Sequence, residues 1–203
     1  MKRIIYMIMA AAVLMTAASE AKAQMGKRDY VDIGWQFNGT VGGDFVRSAQ
    51  GYGAYAEIGC YLAPELAVGT FISFNTNTEY FPTQTYTFSD NSALTTDLER
   101  SVYQIPFGAT VRYRFMRTEV QPYAEAKVGA EYSTQSTYMS TFVNRHDNWG
   151  FYASPEVGVV VFPFERTDIG FQFAAYYSFA SNRNRSYDIK GINNLGFKLG
   201  VAF

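Results

Sequence analysis

From Val31 to Phe203, apolar and polar residues alternate in eight separate stretches. The first sets Val31, Ile33, Trp35 and Phe37 against Asp32, Gly34, Gln36 and Asn38. The second carries Ala54, Ala56, Ile58, Cys60 and Leu62 on its apolar face, and the third Leu66, Val68, Thr70, Ile72 and Phe74. The fourth runs through alternate positions from Tyr103 to Phe115, and the fifth from Ala124 to Tyr132. The sixth runs from Phe151 to Val161, the seventh from Ile169 to Phe179, and the last from Leu195 to Phe203. A period of two places successive side chains on opposite faces of a strand, so eight strands are predicted. Each is near the ~9–11 residues that a tilted strand needs to cross a bilayer. None of the eight apolar faces carries a charge.

The connections alternate in length. Those after strands two, four and six are short and read "APE", "MRTE" and "FPFERT". Those after strands one, three, five and seven are long, the longest spanning residues 75–100. Short turns on one side and long loops on the other are the pattern of an outer-membrane barrel. The predicted fold class is therefore all-β, an eight-stranded antiparallel up-and-down transmembrane β-barrel. Pro106 and Pro155 fall inside alternating runs, where each removes a ladder hydrogen bond. They are expected above the hydrocarbon or at bulges.

Glycine decides which face points inward. Gly34, Gly53, Gly59, Gly69, Gly108 and Gly129 lie on the polar face. So do Gly150, Gly158, Gly170, Gly196 and Gly200, whereas Gly39 is on the apolar face. The interior of an eight-stranded barrel is just wide enough for side chains to fill. Small residues are needed on that crowded side, so the polar face is the inside. The aromatic and aliphatic face is then outside, where only lipid tolerates it.

The N-terminus agrees with export. Lys2 and Arg3 precede an apolar run over residues 4–18, and Ala21 and Ala23 form an A-x-A cleavage pattern. Residues 1–23 read as a signal peptide, with 24–203 as the barrel domain. Cleavage would remove Lys2, Arg3, Lys22 and Glu20, leaving 14 basic against 17 acidic residues and a net charge of −3. That balance argues against nucleic acid as a partner. Cys60 is the only cysteine, so no intramolecular disulfide staples the chain.

With "LGFKLGVAF" at the end, the "MKRI…AKAQ" leader and the eight strands on the page, the chain resembles a known family. It is similar to the small eight-stranded outer-membrane barrels of Gram-negative bacteria, such as outer-membrane protein X and the transmembrane domain of outer-membrane protein A. The resemblance implies an integral outer-membrane protein whose last strand is read by the barrel-assembly machinery. Leu199, Val201 and Phe203 fit the alternating core of that signal, while Lys198 stands where the family has glycine.

The candidate chemistry lies in the interior and in the loops. The predicted lumen holds Asp32, Glu57, Glu125, Glu131 and Glu156 with Arg112, Arg114, Lys127 and Lys198. Tyr55, Tyr61, Tyr123, Tyr152 and Tyr176 fill more of it. These residues are expected to form a salt-bridged plug that holds the barrel in register, the alternative being a narrow ion path. His146 is the only histidine and lies in the predicted loop "VNRHDNW". With Ser140, Asp147 and Glu131 near it in sequence, it raises the alternative of an enzyme acting on lipid A. The long 75–100 segment reads either as a surface loop or as a hairpin rising above the membrane, with an edge able to pair with another chain. Arg183, Arg185 and Lys190 suit lipopolysaccharide phosphates. The expected function is non-enzymatic, with a plugged lumen. The role is structural or interactive, through extracellular loops or as a small subunit of a larger outer-membrane complex. No catalytic, cofactor or metal residue is assigned. Expected partners are outer-membrane lipid and lipopolysaccharide, the barrel-assembly machinery, and another outer-membrane or extracellular protein.

Overall fold

The computed structural model describes residues 29–42, 45–47, 51–87, 93–139, 142–163, 169–183, 189 and 191–203. The leader and its cleavage site lie outside these residues. Eight strands form one closed barrel: β1 (Asp29–Thr40), β2 (Gly51–Tyr61), β3 (Leu66–Thr87), β4 (Ala93–Arg114), β5 (Val120–Met139), β6 (Phe142–Val161), β7 (Gly170–Ala180) and β8 (Ile192–Ala202). Each pairs antiparallel with the next in sequence, and β8 closes on β1. At that seam the Phe203 N–H donates to the Val31 carbonyl at 2.9 Å, and the Val31 N–H donates back at 3.2 Å. The alternation running to Phe203 is thus the closing half of the ladder, which a spanning sheet needs because an open edge cannot be hydrogen-bonded in lipid.

The faces are as the glycines require. Val128 is half exposed while the adjacent Lys127 is 2% exposed. On neighbouring strands, Gly59 pairs with Gly69 and Gly108 with Gly129, each pair on the inner face. Inner-face glycines make beds for lumen tyrosines: a methyl group at Gly200 would collide with the Tyr55 hydroxyl, one at Gly158 with the Tyr123 ring, and one at Gly59 with the Tyr30 ring.

Strand length departs from the sequence reading. β1, β2, β7 and β8 have 11 or 12 residues, but β3 and β4 have 22 each and β5 and β6 have 20 each. The 75–100 segment is a hairpin, with only its tip outside the described residues, and "VNRHDNW" is part of β6 rather than a loop. The apolar–polar period ends where the apolar lipid face ends, because beyond it polar residues stand on both faces, as in the run Ser133 to Thr137 of β5. Thr, Tyr and Val still favour extended backbone there. A register shift between Phe81 and Gln84 accommodates Pro82.

Pro106 and Pro155 also sit differently from expectation. Pro106 pairs with Glu131 and Pro155 with Ala126, inside the spanning part of the wall and away from that bulge. Instead, each leaves a gap in the ladder on its other side. The β3–β4 pairs pass from Ile72↔Phe107 to Asn75↔Gln104, and the β6–β7 pairs from Ala153↔Phe179 to Glu156↔Tyr176. In the second gap the Ser154 hydroxyl donates to the Tyr177 carbonyl at 2.9 Å, supplying a donor that Pro155 lacks.

Candidate functional site

Strands β1, β2, β4, β5, β6 and β8 bring seven charged side chains into one layer of the lumen. Arg112 is central and meets Asp32 at 2.6 Å, Glu57 at 3.0 Å and Glu125 at 2.6 Å. Lys127 meets Glu57 at 2.7 Å, Glu125 at 3.3 Å and Glu156 at 2.5 Å. Lys198 bridges Glu57 and Glu156 at 2.8 Å each. Thr110 also donates to Glu125. Tyr30 and Tyr123 sandwich the Arg112 guanidinium, 4.2 and 4.5 Å from the ring centres. Gln172 ties the layer together: it accepts from Tyr55 and donates to Asp32 and Tyr123, and Tyr123 donates in turn to Glu156. Charges taken out of water need this density of partners.

Two residues of the predicted network stand apart from it. Arg114 lies at the turn side, donating to Gln121 at 2.9 Å and to the Pro64 carbonyl at 2.8 Å, with its guanidinium over Tyr61. Glu131 lies in the outer half of the lumen, where Gln104 donates to it at 3.2 Å. Its surroundings are amides and hydroxyls. Asn194 donates to Gln104 at 3.0 Å, Gln36 to Asn75 at 2.7 Å, and Asn182 to Ser133 at 2.9 Å. Sequence reasoning missed this neutral layer: the amides are visible on the polar faces, but only closure shows that they meet.

A second plug, also unforeseen, closes the outer mouth. Phe45 and Val46, from the first long loop, pack in a cluster that includes Val102, Ala180 and Ile192. The loop is pinned by Thr40 donating to the Val46 carbonyl, by Arg100 donating to the Phe45 carbonyl, and by the Arg47 N–H donating to Glu79. An adjacent apolar pair in a Gly-, Asp- and Ser-bearing loop was the available signal.

The carboxylates of Glu57, Glu125 and Glu156 lie within 4.8 Å of one another, a spacing that could hold a metal. Lys127 already occupies that position with its ammonium. The residues considered for lipid A chemistry do not converge. His146 and Asp147 are neighbours on one strand and point to opposite faces of the sheet, while Glu131 is inside the barrel. Ser140 lies outside the described residues. Of the three cations assigned to lipopolysaccharide, Arg183 is exposed beyond β7, and Arg185 and Lys190 lie outside the described residues.

Above the barrel, β3–β6 continue as a four-stranded sheet whose pairs reach Thr87↔Ala93, Glu99↔Tyr138 and Met139↔Phe142. On its outward face Arg145 donates to Asp147 at 3.2 Å, and Thr134 donates to the same carboxylate at 2.7 Å. The Thr134 hydroxyl and then the Arg145 guanidinium hold the Asp147 carboxyl below its ordinary range.

The family described as "Outer membrane protein beta-barrel domain" matches residues 8–203. The chain belongs to that family. It is accordingly an outer-membrane barrel of Gram-negative bacteria. No curated protein matches it. Among solved structures it is similar to Neisserial surface protein A, at 14% identity and a TM-score of 0.51 over 86% of this chain and 95% of that one. It is similar to Ail, the attachment invasion locus protein of Yersinia pestis, at 13% identity and a TM-score of 0.51 over 88% and 100%. The outer membrane protease OmpT of Escherichia coli matches at 9% identity and a TM-score of 0.50 over 87% and 96%. At such identities the likeness is one of fold.

Proposed function

We propose that this outer-membrane barrel is neither a pore nor an enzyme, and that its working part is the sheet that β3–β6 raise above the membrane. One observation carries the reading: the lumen is closed at two levels, while half of the strands run about twice the length of the others. Eight strands leave an interior that side chains fill, and here ion pairs fill one layer and amides the next. A wall that transports nothing has no use for extra strand length, whereas an interaction protein does. The barrel then anchors and orients the sheet, as an interaction protein in its own right or as a small subunit of a larger outer-membrane complex. Leu199, Val201 and Phe203 act as the assembly signal for the barrel-assembly machinery, and residues 1–23 are removed on export. Arg183, Arg185 and Lys190 add contacts to lipopolysaccharide phosphates.

Two measurements on one pair of proteins test this. The pair is the full chain and a variant whose β3–β4 hairpin is cut back to a short turn after Thr76 and before Tyr103. Neither should show stable single-channel conductance in planar bilayers. In detergent pull-downs the full chain should retain envelope components that the trimmed barrel loses. Ion-selective openings abolished by substituting Arg112 would restore the channel. A change in lipid A on deleting the protein would restore the enzyme.

A further inference from the structure

The amides of the outer lumen form a chain with one direction. Gln104 donates to Glu131 at 3.2 Å, Asn194 to Gln104 at 3.0 Å, and Asn77 to Asn194 at 3.4 Å. Every donor in this chain points toward the buried carboxylate, so every carbonyl points away from it. The last carbonyl is Asn77 Oδ1, which is buried and has no hydrogen-bond partner. Asn38 Oδ1 is buried without a partner as well. The two oxygens converge beside Gly51, 1.8 and 1.9 Å from the place where a side chain would begin. The Asn38 main-chain carbonyl is 2.6 Å from the same place, so any larger residue there would fill this cradle. The cradle adjoins the outer plug. Val102, the cross-strand partner of Asn77, packs in the cluster with Phe45 and Val46. Thr40, two residues beyond Asn38, donates to the Val46 carbonyl.

We propose that these three carbonyl oxygens, in the cradle that Gly51 keeps clear, hold one alkali-metal cation that locks the plug in the barrel mouth. Carbonyl oxygens brought together repel one another unless a donor or a cation lies between them. Asn38 and Asn77 are 4% and 0% exposed, so bulk solvent does not supply it. The charge of Glu131 makes the case for a cation. Among the described residues no cation pairs with this carboxylate, which is 1% exposed. Aligned amides polarise one another, so the negative charge strengthens each carbonyl behind it and reaches Asn77 Oδ1. A water molecule would satisfy the oxygens and leave that charge uncompensated. A monovalent ion suits neutral carbonyl ligands. A divalent ion takes carboxylates directly, and here Gln104 and Asn194 stand between Glu131 and the cradle. The position gives the ion its role. Asn38 stands just before the first long loop and Gly51 just after it, while Asn77 is on β3. An ion bound here fastens both ends of the loop that carries Phe45 and Val46.

The test uses the purified full chain in detergent, exchanged into sodium, potassium or tetramethylammonium chloride at one ionic strength. The last ion is too large for the cradle, and a fourth sample adds calcium to it. Amide exchange of Val41 and Arg47, whose N–H groups bond Asn193 and Glu79, reads the closed loop. With sodium or potassium at about ten times its Kd, exchange at both should slow roughly tenfold relative to tetramethylammonium. Asn38→Ala removes one oxygen and should erase the difference between salts. Glu131→Gln removes the charge at the end of the chain and should raise the sodium concentration needed several-fold. Both variants should keep heat-modifiable migration, showing an intact barrel. Equal exchange of the parent in all salts overturns the proposal and leaves Asn38 and Asn77 bonded to each other. A difference between salts that survives in Asn38→Ala also overturns it, because the ion would then lie elsewhere. Slowing by micromolar calcium that is lost in Glu131→Gln would overturn the monovalent assignment and place the carboxylate itself on the ion.

Discussion

Two arginine–aspartate pairs in this barrel differ in almost everything but chemistry. Arg112 and Asp32 meet at 2.6 Å inside the lumen, with side chains 3% and 1% exposed. Arg145 and Asp147 meet at 3.2 Å on the outward face of the raised sheet, 51% and 46% exposed. The inner arginine has three carboxylates and two aromatic rings around it, so every direction of its guanidinium is spoken for. The outer one can exchange its partner for water at any moment. An ion pair in the low-dielectric interior is therefore part of what defines the barrel, since losing either member strands a charge without solvent. The exposed pair is a local preference of one strand. The comparison separates a region that fixes structure from a region free to make contacts.

Arg112→Ala should expose the difference most strongly. It leaves Asp32, Glu57 and Glu125 short of a cation, and should cost about 3–5 kcal/mol in urea unfolding from lipid vesicles. A loss under 1 kcal/mol would mean that water reaches the ionic layer, and the contrast with the exposed pair would collapse. Val128→Arg carries a charge to the third environment, the lipid. Val128 is half exposed on the wall, and near the midplane the cost should be about 2–4 kcal/mol in the same assay, with Val128→Leu near neutral. Equal effects of the two would show that the faces of β5 are reversed.

The seam offers a smaller effect of a different kind. Phe203 is partly exposed at the end of β8, so its deletion should cost less than the ~1.5–3 kcal/mol of a fully buried large side chain. The truncated chain should still refold into detergent as a heat-modifiable barrel while its level in the outer membrane falls. Failure in both settings would make the residue structural, and unchanged cellular levels would remove it from assembly.

Smallest of all is Arg145→Ala, expected to cost at most ~1 kcal/mol. Its companion is a pH effect. Asp147 titrates below its ordinary range when folded, so its hydrogen bonds support the sheet fully above the unfolded value and are lost as pH falls through the lower, folded one. Amide exchange of the β5–β6 pairs around Thr134 and Asp147 should therefore speed up on acidification below that ordinary range, while the barrel keeps its heat-modifiable migration. Exchange that is indifferent to pH would show that the exposed pair contributes nothing to the order of the sheet.

Much of the barrel is legible in the amino acids alone. Alternation gave eight strands, and the glycines gave the inside, because a lumen filled by side chains tolerates nothing larger beneath Tyr55 or Tyr123. The charged residues named for the lumen were also readable, as polar residues between apolar ones. Which of them touch was not. Arg114 and Glu131 alternate just as Arg112 and Glu125 do, yet one lies at the turns and the other among amides. Depth along a tilted, staggered strand is a property of the closed ring.

The amino-acid sequence by itself determined where the chain meets lipid, since only there must one face be apolar and the other small or polar. Its last strand, alternating up to Phe203, already carried the partner that β1 requires. What the tertiary structure decided is whatever has no period to betray it. Above the bilayer polar residues stand on both faces of β3–β6, so no apolar–polar period marked residues 142–149 as strand, and residues 75–100 stayed open between a surface loop and a raised hairpin until the ladder showed the hairpin. The ladder that continues upward from the barrel holds them there.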